Sequence, residues 1–307
     1  ETFIPYEAFK NCSSLNNITI PSSITTIKSG AFRSCTSLRK IEIPTSVRTI
    51  ENFVFYNCTS LIEINIPSTI TMIDESVFED CESLTEITIP SSVLYICNSA
   101  FKGCKSLKQI YIPSSVNLID DSVFEQCKSL ERISIPSSVL KIGRSVFKQC
   151  VSLIEIENDS HITKIDVSLF QECHSISHIT IPPSVTTINS FSFSQCESLN
   201  EILIPPSVTL IYSYCFFNCI SLTNIFIPSS VVNIGNGCFS GCKLIKEITI
   251  PSSVQKIGSA VFKECSSLTK VSILSPIKKI NGESFYKCNS LKQVYLPSSV
   301  EIIDESA

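Results

Sequence analysis

A β-rich repeat solenoid is the fold class that this sequence predicts, and three observations predict it. One cysteine recurs from Cys12 to Cys288 every 23 residues, thirteen times and without an insertion. A phenylalanine precedes each of these cysteines by three residues, and an isoleucine follows each by fifteen. The segment after the cysteine, L-x-x-I-x-I, ends in the period-2 alternation of a half-buried strand. An apolar pattern repeated at a fixed length is the signature of stacked units that share one core.

The windows CESLTEITIPSSVLYICNSAFKG (81–103) and CKSLERISIPSSVLKIGRSVFKQ (127–149) each show one whole unit. Its first element is the strand L-x-x-I-x-I. Proline follows directly in eleven of the thirteen copies, among them Pro21, Pro44 and Pro67. Proline has no N–H to continue a ladder and biases the preceding isoleucine toward β, so it marks the strand's end. S-V-x-x-I is then a second short extended or turn segment. Gly143, Asp166, Asn189, Gly235 and Gly258 mark a tight turn, and A-F-x-x-C is at most one helical turn. One unit buries too little apolar surface to offset the entropy of ordering its backbone, so stacking must supply the remainder. Parallel strands ~4.8 Å apart make the stack a rod or arc of roughly 60 Å.

The unit resembles the BspA-like class of leucine-rich-repeat proteins: L-x-x-I-x-I is the strand half of a leucine-rich repeat, and I-P-x-S-V-x-x-I with A-F-x-x-C completes the pattern. The resemblance covers the whole chain. It implies a right-handed leucine-rich-repeat solenoid, with one parallel strand per repeat on the concave face and turns or short helical turns elsewhere. It also implies a surface or secreted protein of an anaerobic bacterium or parasitic protist, some members of the class binding host matrix proteins or cells. No compact adhesive motif carries over onto residues of this chain.

Composition fits one repeat domain over 1–307. Apolar residues make up 43% and charged residues 17%, enough for a large core and too apolar for disorder. The chain starts and stops in mid-repeat, Ile4 in the slot of Ile27 and Ala307 in that of Ala8 and Ala31, with no visible cap. Core exposed at both ends is expected to favour end-to-end self-association. The longest apolar run, VLYIC (93–97), is far short of a membrane span, and the opening ETFIPYEAF has no signal-peptide pattern. With a net charge of −4 and no basic stripe, nucleic acid and anionic membrane are poor partners.

Thirteen of the sixteen cysteines form one column. Neighbours ~4.8 Å apart pointing the same way are ill placed for disulfides, whose Cβ atoms lie about 3.5–4.5 Å apart, so we read buried free thiols. Cys215 and Cys238 stand in a slot held elsewhere by Ala8, Ala31 or Ser192. They create CFFNC (215–219) and CFSGC (238–242), in which Cys215, Cys219, Cys238 and Cys242 offer a metal or disulfide alternative to plain core filling. Cys97, in a turn slot, is the expected exposed and reactive thiol. No cofactor is implied.

The outward strand positions carry the candidate binding residues. One column runs through Gln109, Arg132, Glu155, His178, Glu201, Asn224 and Glu247; the other runs through Tyr111, Ser134, Glu157, Thr180, Leu203, Phe226 and Tyr295. Glu155 and Glu201 on either side of His178 are expected to raise its pKa and make a pH-sensitive contact or weak cation site, or else an ordinary polar face. Leu203 and Phe226, flanked by Glu201 and Glu247, form an apolar pair with a polar rim, a feature of interfaces; Tyr111 and Tyr295 repeat the theme singly. Sequons at Asn11, Asn17, Asn57 and Asn158 permit secretion without arguing for it.

Two copies are irregular. EIENDSHITKI (155–165) puts Asn158-Asp159 where Ile-Pro is the rule, and Leu274 takes another proline slot with Pro276 displaced. Both read as drift in the repeat. The reading that results is a non-catalytic binding or adhesive module, presented outside the cell, recognising a protein or glycoprotein through the concave face. The alternatives are an intracellular interaction scaffold and, third, a parallel β-helix enzyme acting on polysaccharide.

Overall fold

A computed structural model describes residues 2–307, and the chain divides into two compact units, Glu1–His161 and Ile162–Ala307. Each unit is built from the same two kinds of parallel-strand ladder, and no helix occurs among the described residues.

The long-strand ladder comes from L-x-x-I-x-I. In the first unit it includes Lys40–Glu42, Glu63–Asn65, Gln109–Tyr111, Arg132–Ile135 and Glu155–Asn158. In the second it includes Glu201–Leu203, Asn224–Phe226, Glu247–Ile250, Lys270–Ile273 and Gln293–Tyr295. Register is in phase with the repeat: Arg132 faces Gln109 and Glu155, and Glu247 faces Lys270. In most of these strands the middle isoleucine or valine is buried and its two neighbours point outward, the expected consequence of a two-residue period.

The second ladder is S-V-x-x-I, whose last two residues form strands such as Tyr95–Ile96, Leu118–Ile119 and Lys141–Ile142. The motif's serine earns its place here. Ser115 and Ser138 donate their hydroxyls to the carbonyls of Val93 and Val116 one repeat earlier, at 2.7 and 2.8 Å.

A-F-x-x-C is not a helical turn, and the backbone explains why. Two residues per unit, four apart, take positive φ, for example Ser99 at 56° and Gly103 at 72°. A helix needs consecutive right-handed residues, so this alternation stops it. The N–H groups divide their work accordingly. Ala100, Lys102 and Cys104 donate to carbonyls three residues back, closing tight turns, while Ser99, Phe101 and Gly103 donate to Asp121, Val123 and Glu125 in the next repeat. Every amide in the segment is thus satisfied without a helix.

Inside these ladders, Phe32, Phe55, Phe78, Phe101 and Phe124 stack at 5.4–5.7 Å between ring centroids and within 10° of parallel. The second unit repeats this from Phe170 to Phe285. Along the cysteine column the thiols donate to the carbonyl of the phenylalanine 26 residues earlier, as Cys127 does to Phe101 and Cys219 to Phe193. The cysteines are thiols rather than disulfides among the described residues.

The irregular copies keep the fold by a local exchange. Asp159 and Leu274 each have the N–H that proline lacks, and they donate it to Ile135 and Ile250, so both strands run four residues instead of the usual three. Ser160, exposed in regular copies as Ser137 is, turns inward and bonds the Asn158 carboxamide.

Candidate interaction surface

The outward residues of the long strands form the face that the ladder leaves open. In the first unit this face is an open groove of about 730 Å³, lined by Glu63, Glu86, Gln109, Tyr111, Arg132, Glu155 and Glu157 along its rim. A further groove of about 920 Å³ continues it from Asn17 to Asn65. Tyr111 stands 71% exposed with Thr88 and Ser134 as its register neighbours. Arg132 pairs with Glu155 at 3.4 Å and Lys40 with Glu63 at 3.2 Å.

In the second unit the same face is apolar at its centre. Leu203 and Phe226 are register partners on adjacent strands and are 75% and 70% exposed. Thr180 bridges to Leu203 on one side. Glu201 shares a strand with Leu203, and Glu247 pairs with Lys270 at 3.8 Å, whose ammonium lies 5.9 Å from the Tyr295 ring centre. The sheet thus holds two large apolar side chains side by side in water, within a rim of charge.

Each histidine has its own neighbours. His178, in the second unit, lies 3.1 Å from the Ser177 hydroxyl, His174 lies 3.5 Å from Glu197, and His161, in the first unit, lies 3.3 Å from the Ser137 carbonyl. Glu155 belongs to the first unit and its carboxylate is engaged by Arg132. No group of three or more His, Cys, Asp or Glu able to hold a metal occurs among the described residues. Cys219 and Cys242 donate to Phe193 and Phe216, Cys215 faces the carbonyls of Asn189 and Tyr212, and the Cys238 thiol is hydrogen-bonded to that of Cys215.

Cys97 also differs from expectation. It is half-buried, and burial together with Asp74 and Asp120 pushes its pKa up to about 11, so thiolate is scarce at neutral pH. Cys12 is the exposed cysteine.

Two aromatic clusters on the turn edge escaped the strand-column reading. Phe191 stacks on Tyr214 at 5.1 Å, and Tyr214 meets Phe217 edge-on at 6.0 Å. In the first unit the Arg33 guanidinium lies 4.8 Å from the Tyr56 ring centre and 5.9 Å from that of Phe53. Phe53, Phe191 and Tyr214 all occupy the positive-φ slot five residues before the cysteine, and large aromatics at that slot were the available signal.

Ladders of parallel strands repeating every 23 residues, with an open strand face carrying the variable residues, define a leucine-rich-repeat solenoid of the kind that presents an interaction surface. The pattern described as BspA type leucine rich repeat region matches residues 2–131, 118–244 and 209–307, in six copies. The chain belongs to this family. Among solved structures, a leucine-rich repeat protein from Bacteroides ovatus is 32% identical over 92% of this chain and 67% of its own, with a TM-score of 0.70. A leucine rich cell surface protein from Faecalibacterium prausnitzii is 26% identical, over 92% of this chain and 87% of its own, with a TM-score of 0.59. The pneumococcal vaccine antigen PcpA, at 20% identity over 98% of this chain and 73% of its own with a TM-score of 0.59, shares the fold. A comparison with curated proteins finds no match. No helix among the described residues is long and apolar enough to cross a membrane.

Proposed function

We propose that the chain is a non-catalytic binding module of a surface or secreted protein, and that it recognises a protein or glycoprotein through its long-strand face. The observation that carries the reading is the exposed register pair Leu203–Phe226 with its charged rim. Two large apolar groups side by side at the centre of a polar face are what an interface anchor requires, because burying them releases ordered water while the rim sets the register. The cell-surface description of the Faecalibacterium prausnitzii relative supports the location.

The test is binding of the soluble chain to host cells and purified matrix proteins, beside a variant carrying Leu203→Lys and Phe226→Glu. Binding that the variant loses supports the reading. Binding that survives moves the site off this face. Absence of binding by either favours the same module inside a cell, where free thiols such as the exposed Cys12 remain reduced.

A further inference from the structure

We propose that the groove of the first unit holds an extended basic segment of a partner protein, seated on Tyr111 between Glu86 and Glu157. The proposal uses none of the residues that carry the Leu203–Phe226 reading, so each can fail alone.

Charge comes first. The groove is lined by four glutamates, Glu63, Glu86, Glu155 and Glu157, against one arginine, Arg132. Glu63 and Glu155 are answered by Lys40 and Arg132, whereas Glu86 and Glu157 enter no ion pair among the described residues. Two uncompensated carboxylates in a groove with a low-dielectric floor focus a negative potential outward. The floor consists of Ile64, Ile87, Ile110 and Ile133, all core residues of the ladder.

Tyr111 supplies the anchor. Its register neighbours Thr88 and Ser134 are short, so the ring stands clear of the sheet. An exposed aromatic face beside carboxylates attracts ammonium and guanidinium groups, since the ring quadrupole and the carboxylate charge act in the same sense.

Spacing then sets the ligand. Glu86 and Glu157 lie three repeats apart in the stack and two residues apart along the strand, about 14 Å across the strands and about 7 Å along them, or ~16 Å in all, which lysines four residues apart on an extended chain, ~13 Å between their Cα atoms, reach with their side chains. The ligand therefore carries Lys or Arg at positions four apart, and the residue midway lies on the Tyr111 ring. Its backbone crosses the strands, whose amides are already committed to the ladder, so side chains alone read the sequence. A metal ion is the wrong occupant, because no cluster of three ligands is present among the described residues. A nucleic acid carries the wrong sign.

The experiment uses the full 307-residue chain and a fluorescent peptide of about nine residues in a Gly/Ser/Thr background, with lysines four apart and a further lysine midway between them. A second peptide replaces all of these lysines with glutamates. Anisotropy is read at about 20 mM and about 300 mM salt, across which the screening length falls from roughly 20 Å to about 6 Å. The lysine peptide should bind and the glutamate peptide should not. High salt should weaken binding, Glu86→Gln with Glu157→Gln should weaken it about tenfold, and Tyr111→Ala about threefold, with Tyr111→Phe close to the parent. The Leu203→Lys, Phe226→Glu variant should bind the peptide as the parent does. No binding at low salt, equal binding of both peptides, or lysine-peptide binding untouched by the two Gln substitutions would overturn the proposal. So would loss of peptide binding in the Leu203→Lys, Phe226→Glu variant.

Discussion

The strand face of the first unit is acidic and polar with a single tyrosine at its centre, whereas that of the second is centred on a leucine and a phenylalanine. Beneath these faces each unit has the same kind of phenylalanine stack, the same thiol-to-carbonyl bonds and the same two kinds of parallel-strand ladder. The difference teaches where this fold keeps its information. The inward positions are held constant by packing, and the outward positions, two per strand, are free to vary because nothing in the core touches them.

The largest effect should fail to distinguish the units, since it acts on what they share. Burial pushes the thiols of Cys58 and Cys127 in the first unit, and Cys196 in the second, from about 9 up to about 12. Below pH 9 these thiols are neutral in both folded and unfolded chains. Above it the unfolded chain ionises first, and each thiol withdraws about 1.4 kcal/mol of stability per pH unit until the folded value is reached. These three alone remove about 4 kcal/mol at pH 10, and the thiols that burial raises further add to the loss. Circular dichroism melts from pH 8 to 10.5 should show the midpoint falling steeply. A flat profile would mean the thiol column is not buried and neutral.

Next in size is the apolar pair. Truncating both anchors of an interface costs typically 2–4 kcal/mol of binding, so Leu203→Thr with Phe226→Thr should reduce affinity for a bound partner at least thirtyfold while leaving thermal stability within about 0.5 kcal/mol. Grafting the pair onto the first unit with Thr88→Leu and Tyr111→Phe is a sharper version. If the pair alone suffices, calorimetry should report a second site. An unchanged stoichiometry would show that the rim of Glu201 and Glu247 takes part.

Smaller still is the expected effect of Asp159→Pro, which restores the repeat's own residue. It removes the bond from Asp159 N–H to the Ile135 carbonyl, a loss of about 1 kcal/mol, and gains a comparable amount by stiffening the unfolded chain. The melting temperature should move by no more than a few degrees. A large drop would make the lengthened strand Glu155–Asn158 essential to the first unit.

Most of the fold was legible because a strict repeat states the same evidence thirteen times. The strand L-x-x-I-x-I, the proline stop and the free thiols each followed from one residue's chemistry in a fixed slot. The short segment before the cysteine was less legible: A-F-x-x-C has helical spacing, and only the positive φ at Ser99 and Gly103 turns it into a ladder of tight turns. Nothing in Ser, Gln, Glu or Phe at those slots announces a left-handed backbone. The candidate site was legible as columns, since Leu203 beside Phe226 needs only the 23-residue offset. Which carboxylates remain unpaired was not, because that depends on side-chain reach: Arg132 takes Glu155 and leaves Glu157. The same limit explains Cys97, whose burial depends on neighbours a repeat away.

Each rung of the ladder within a unit receives the same hydrogen bonds from the rung before it and passes them to the rung after. A gene encoding such a chain can therefore lose or duplicate a whole 69-nucleotide segment, three nucleotides for each of 23 residues, and the reading frame of the fold closes again without a scar. What changes is distance on the surface: removing one rung between Glu86 and Glu157 would bring them ~4.8 Å closer across the strands. Slippage during replication, a hazard for most proteins, becomes here a means of retuning the spacing of recognition groups in fixed steps.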